Sequence, residues 1–111
     1  MPVPDLKKAE FPKKLHKKKR FTDPATIDGS DIQPGNKVKV TGHHGNKPTV
    51  WEGKVKQKNP DGTFAVEDLT VTFEERSDKE EKRDTEDVSV TVTNGTGESQ
   101  PLVVKDAPII P

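Results

Sequence analysis

Two adjacent histidines, His43 and His44, stand between Gly42 and Gly45 and could offer two imidazoles to a metal ion. A fixed metal site needs a third ligand with defined geometry. The remaining histidine, His16, lies far off in a lysine-rich stretch, and there is no cysteine. The pair therefore reads as a polar loop tip, and neither a metal nor another cofactor is expected. Nucleophilic chemistry has as little to work with. A nucleophile needs a base within hydrogen-bond reach and a third group to orient that base. Ser30, Ser77, Ser89 and Ser99 stand in no elbow motif. The lack of cysteine excludes thiol catalysis and disulfides alike. Gly42 and Gly45 lack the Lys-Ser/Thr ending of a phosphate-binding loop. Carboxylates cluster only between Glu67 and Asp87, ten of them against Arg76, Lys79, Lys82 and Arg83, and read as a solvated face. No catalytic residue is expected, and the chain does not read as an enzyme.

Charge patterning is the stronger signal. The run KKLHKKKR, Lys13 to Arg20, concentrates Lys13, Lys14, Lys17, Lys18, Lys19 and Arg20. Over the first twenty residues eight basic side chains meet only Asp5 and Glu10, yet the formal net charge of the whole chain is zero. Such a run could neutralise nucleic-acid phosphates with a salt-dependent affinity. It could also lie along an acidic groove of a protein partner, act as a nuclear-targeting patch, or remain a solvated tail. Nucleic-acid-binding domains usually have a pI above about 9, whereas this chain has a pI of about 6.8.

The elements that would position these residues are thin. The chain has 111 residues, 27% hydrophobic and 34% charged, with ten prolines and eight glycines. One domain is the ceiling, close to the border with disorder. No apolar run approaches the ~20 residues of a membrane span, and the basic start lacks the apolar region of a secretory signal. A cytoplasmic setting, or a particle assembled in a host cytoplasm, is the expectation. Residues 1–35 are interrupted by Pro2, Pro4, Pro12, Pro24 and Pro34 and read as an extended N-terminal arm.

From residue 36 onward, period-two alternation predicts antiparallel strands. Val38 and Val40 alternate with Lys37 and Lys39. Trp51, Gly53 and Val55 alternate with Glu52, Lys54 and Lys56, while Phe64, Val66, Leu69, Val71 and Phe73 mark two further runs. Asn59-Pro60-Asp61-Gly62 reads as a hairpin turn, and 42–48 as a longer loop. Residues 74–87 read as a charged loop, and Val88, Val90 and Val92 as the clearest strand. Asn94-Gly95-Thr96 fits a glycosylation sequon but reads as a turn. Leu102 and Val104 suggest a last short strand, followed by a proline-bounded C-terminal tail, 106–111, that leaves Ile109 and Ile110 exposed. The fold class expected is mainly β: a small antiparallel barrel or sandwich over 36–105. Its core would be built from Val38, Val40, Trp51, Val55, Phe64, Val66, Leu69, Val71, Phe73, Val88, Val90, Val92, Leu102 and Val104.

Over 32–73 the chain resembles small SH3-like barrels of the Tudor or KOW kind. The resemblance rests on Pro34-Gly35, the Val38/Val40 strand, Trp51-Glu52-Gly53-Lys54-Val55, a turn through Gly62, and Phe64-Ala65-Val66. It implies a small antiparallel barrel used for binding. Tudor readers of methylated side chains hold the cation in an aromatic cage. Here Trp51, Phe64 and Phe73 all fall at core positions and there is no tyrosine.

Two functions follow as expectations. The first is a structural or assembly protein, such as a capsid cement, decoration or other minor virion protein of a tailed phage. Its arms would join neighbouring protein subunits or copies of itself through Lys13–Arg20, which could pair with the acidic stretch Glu67 to Asp87 of a neighbouring copy, and through Ile109 and Ile110. Proline-rich arms lose less freedom on ordering, and extended segments add to sheet edges. The second is a nucleic-acid-, ribosome- or chromatin-associated binding module that uses the basic run.

Overall fold

Where the sequence alternates, the chain is extended and pleated, with one row of side chains in and one row out. Val38 and Val40 are buried in β4 (Lys37–His44), Trp51 and Val55 in β5 (Lys47–Lys58), Phe64, Val66 and Leu69 in β6 (Phe64–Glu74), and Val88, Val90 and Val92 in β7 (Thr85–Thr93). The computed structural model describes residues 2–11, 15–16, 25–44, 47–74 and 85–110, and no helix occurs among them. Four more strands complete it: β1 (Asp5–Glu10), β2 (Leu15–His16), β3 (Ala25–Ser30) and β8 (Leu102–Ile110). They form one sheet in the order β1-β3-β6-β5-β4-β7-β8-β2, antiparallel except where β2 joins β8. β1 also packs against β8 and β7, so the antiparallel sheet is nearly closed into a barrel, as the alternation predicts.

Several segments differ from the sequence expectation. The stretch 1–35, read as an arm, holds β1, β2 and β3. It buries Leu6, Ala9, Phe11, Leu15, Ala25, Ile27 and Ile32 in the same core as the valines. Its apolar residues go out of phase because of a bulge. Leu6 pairs with Gly29 and Lys8 with Asp28, leaving Lys7 as an extra residue, so Leu6 and Ala9 both point inward although three positions apart. β6 joins two predicted runs by the same device. Lys54 pairs with Glu67 and Glu52 with Thr70, so Val66 and Leu69 share the inner face. β8 does it again and continues to Ile110 in place of the expected tail. Glu86 pairs with Ala107 and Val88 with Val104. Within that bulge Asp106 takes a positive φ of 56°, and its amide donates to Asp87 Oδ1 at 3.0 Å.

The expected loop 42–48 is mostly strand, because β4 and β5 are separated only by residues 45 and 46, which lie outside the described set. Val71, Leu102 and Val104 are partly buried at the core's margin. The side chain of Phe73 lies outside the described set.

Bulges bend strands and strengthen twist, which lets a short sheet curl toward closure. β5 and β6 carry three register shifts between them. At one of these, Gly53 lies so near the β6 backbone that a Cβ would stand 2.7 Å from the Glu67 carbonyl oxygen. Gly42 serves the Trp51 indole similarly: a Cβ there would meet the ring at 3.1 Å and overlap the Glu86 carboxylate. The turn at 59–63 is as predicted. Gly62, at φ 93°, donates its amide to Asn59 O at 3.0 Å, and Asn59 donates to Thr63 O at 2.7 Å.

Asn94 ends β7 as a four-way junction. Its Nδ2 donates to Pro2 O at 2.8 Å and to Asp31 O at 3.3 Å. Its Oδ1 accepts from the amides of Thr96 at 2.8 Å and Gly97 at 3.1 Å. A carboxamide has two N–H donors and two acceptor lone pairs, so all four are used. Ser99 closes the loop behind it, its amide donating to Val92 O at 2.8 Å and its Oγ accepting from Val92 N at 3.0 Å.

Two outcomes test this arrangement by urea denaturation. Leu15→Ala and Ile27→Ala should each cost about 2–5 kcal/mol, the range for emptying a buried aliphatic site, whereas residues of a free arm would cost nothing. Asn94→Asp should cost about 1–3 kcal/mol by setting a carboxylate against two carbonyl oxygens, and amide exchange in β1 should quicken with it.

Candidate interaction surfaces

Of the residues expected to meet a partner, Ile109 and Ile110 belong to a described strand, β8, next to last in the sheet order. Lys13, Lys14, Lys17, Lys18, Lys19 and Arg20 lie outside the described residues. The two central residues of their run, Leu15 and His16, form β2 and pair in parallel with Ile109 and Ile110. Two segments expected to act apart, the basic run and the end of the chain, thus share one strand pair. Leu15 is fully buried there, so the run enters the fold at its middle.

The described side chains of the acidic stretch stand in three different settings. Glu67 is on β6 opposite Lys54, Glu86 is buried in the inner row of β7, and Asp87 holds the Asp106 amide. Residues 75–84 lie outside the described set. His43 and His44 belong to β4, their backbones opposite Pro48 and Lys47 rather than in a loop. The glycosylation reading of Asn94 has no room, because its Nδ2 is buried in the hydrogen bonds to Pro2 and Asp31.

A second surface is not evident from the sequence. The outer face of β5, β4 and β7 forms a groove of about 580 Å³ lined by Lys37, Lys39, Lys54 and Lys56, with Thr91 and Thr93 on one wall and Glu52 and Glu98 among its residues. The strand register sets its rows. Lys37 faces Lys54 on one side and Thr93 on the other, while Lys39 faces Glu52 and Thr91. Thr93 is bridged in turn to Glu98. Each lysine is legible in the sequence as the outward partner of a core valine. Their convergence depends on a pairing register that alternation does not specify.

A smaller cleft of about 140 Å³ lies where the 59–63 turn meets β1 and β3, lined by Lys8, Glu10, Asp28, Asp61 and Thr63 among others. Lys8 Nζ pairs with Glu10 Oε1 at 2.8 Å, which raises the pKa of this exposed lysine. Asp61 Oδ1 accepts from Thr63 Oγ1 at 2.6 Å and from the Thr63 amide at 2.9 Å. These bonds favour the ionised form and lower the pKa of Asp61, the hydroxyl bond most.

No protein-family model, no curated protein and no solved structure matches this chain.

The Asp61 bonds give a pH dependence of defined sign. A carboxylate with a depressed folded-state pKa adds stability above its unfolded value, and that stability is lost as pH falls through the folded one. The Thr63 amide resonance should therefore titrate with a midpoint below the ordinary 3.8 of an aspartate. Asp61→Asn should abolish that titration. A midpoint at or above 3.8 would mean that the turn does not hold the carboxylate in solution.

Proposed function

We propose that this chain is a non-enzymatic structural or assembly protein that joins the protein subunits of a larger shell. Its specific role would be that of a capsid cement, decoration or other minor virion protein of a tailed phage. The observation that carries the reading is the pairing of Leu15–His16 with Ile109–Ile110. It joins the chain's Ile-Ile pair to the two middle residues of a sequence run that carries six basic residues, which themselves lie outside the described set. Interfaces between subunits combine an apolar centre with a charged rim, and these residue types are suited to both parts. β2 is two residues long and ends the sheet order, which suits an edge completed by a neighbour's strand. A partner with an acidic rim would be attracted at long range, and the attraction would weaken with salt.

Sedimentation and light scattering at low and high salt, with limited proteolysis, test this reading. A discrete oligomer is expected that dissociates as salt rises, with Lys13–Arg20 protected from cleavage only in the oligomer. The combined substitution Lys17→Ser, Lys18→Ser, Lys19→Ser and Arg20→Ser should abolish it. A monomer at every salt, cut at once in this run and binding generic DNA or RNA with salt-sensitive affinity, would overturn the proposal in favour of a nucleic-acid-binding module.

A further inference from the structure

The groove on the outer face of β4, β5 and β7 contains an arrangement that folding alone does not favour. Lys37 and Lys54 lie directly opposite each other on neighbouring strands. Like charges in that position destabilise a sheet. Lys39 and Lys56 enlarge the same positive field. Among the described residues none of Lys37, Lys39 and Lys54 forms an ion pair. Lys54 has Glu67 opposite it on β6 and Lys39 has Glu52 opposite it on β5, whereas Lys37 faces only Lys54 and Thr93; a local rule broken in this way is expected at functional surfaces. We propose that this groove binds an extended, carboxylate-rich segment of a partner protein.

Three observations select that occupant. Side chains two residues apart on a strand are separated by about 7 Å. Lys37 and Lys39 on β4 have this spacing, and so do alternate side chains of any extended peptide, so an Asp or Glu at every second position can meet successive lysines. Glu52 and Glu98 also line the groove. They would repel a continuous phosphate backbone, whereas a peptide can set its own Lys or Arg against them. Among the described residues no aromatic side chain lines the groove, so these offer none of the stacking on which single-stranded nucleic acids depend. Thr91 and Thr93 supply hydroxyls along one wall, able to donate to carboxylates or peptide carbonyls.

This inference deepens the reading of the chain as an assembly protein by naming a second contact and the chemistry of what it holds. It uses different residues from the basic run, so the two are tested apart. The probe is a fluorescent synthetic peptide alternating Glu and Thr. It is measured by anisotropy against the full chain, beside a peptide of the same composition with its glutamates in one block and beside oligothymidine.

The alternating peptide should bind more tightly than both comparators. Lys37→Thr with Lys39→Thr should weaken it by about tenfold, in line with the loss of two exposed charge pairs. The same double variant should melt no lower than the parent, because it removes the opposed Lys37–Lys54 charges. Glu52→Gln should tighten binding. The substitutions at Lys17 to Arg20 should leave peptide binding unchanged even where they abolish the oligomer, which separates failure of the groove from failure of the assembly reading. Equal binding of the two peptides, preferential binding of oligothymidine, or a Lys37→Thr/Lys39→Thr variant that binds as the parent does would each overturn the proposal.

Discussion

One carboxamide ties the two sides of the barrel together. Asn94 holds the carbonyls of Pro2 and Asp31 with its nitrogen and two amides of its own loop with its oxygen. Only Asn and Gln carry two donors and two acceptors on one planar group, and Asn's shorter stem keeps them close to the backbone. The Pro2 bond fixes where β1 begins, and the Asp31 bond fixes where β3 ends. The bulge at Lys7 then sets the phase in which Leu6 and Ala9 face the core. The remaining strands continue from those boundary conditions. Gly29, opposite Leu6, is part of the same constraint, since a Cβ there would overlap the Asp5 carbonyl oxygen.

The molecule divides its chemistry between two faces of one sheet. Inside, the valines of β4, β5, β6 and β7 share one core with Trp51. Outside, the same strands present lysines and threonines. The fold relies on register and on hydrogen-bonded loop geometry as well as on this core. Gly42 shows how tight the fit is. The Trp51 ring and the Glu86 carboxylate both occupy the space that a side chain at position 42 would need.

Alternation alone makes β4, β5 and β7 legible, because Val38, Val40, Val55, Val88, Val90 and Val92 keep strict period two with polar partners. It fails wherever a bulge inserts one residue. Leu6 and Ala9, Val66 and Leu69, and Val104 and Ala107 are each three apart, and that spacing reads as an interruption rather than as one bent strand. Ala9, Ala25 and Ala107 are buried but too small to stand out as core. β2 is hidden for a different reason. Leu15 is one apolar residue within a basic run, and its burial depends on pairing with Ile109 far along the chain. Such partners are fixed by tertiary closure. The lysine groove is half legible: each lysine faces outward by its parity, but which ones meet follows only from the register.

The bond between Pro2 and Asn94 spans 92 positions of sequence. Contacts between residues so far apart carry a loop-closure cost and slow the folding of β-rich chains. On a ribosome, β1 and β3 are made long before β7 and its loop, so the apolar side chains of Leu6, Ala9 and Ile27 must wait in water for the strands that cover them. An unclosed half-barrel of this kind is open to sticking to its neighbours. Charged residues beside such strands act as gatekeepers against aggregation. Lys7 and Lys8 stand between Leu6 and Ala9, and the basic run follows directly behind. The charge of this segment is thus suited to keeping the nascent chain apart from its neighbours before its core has formed.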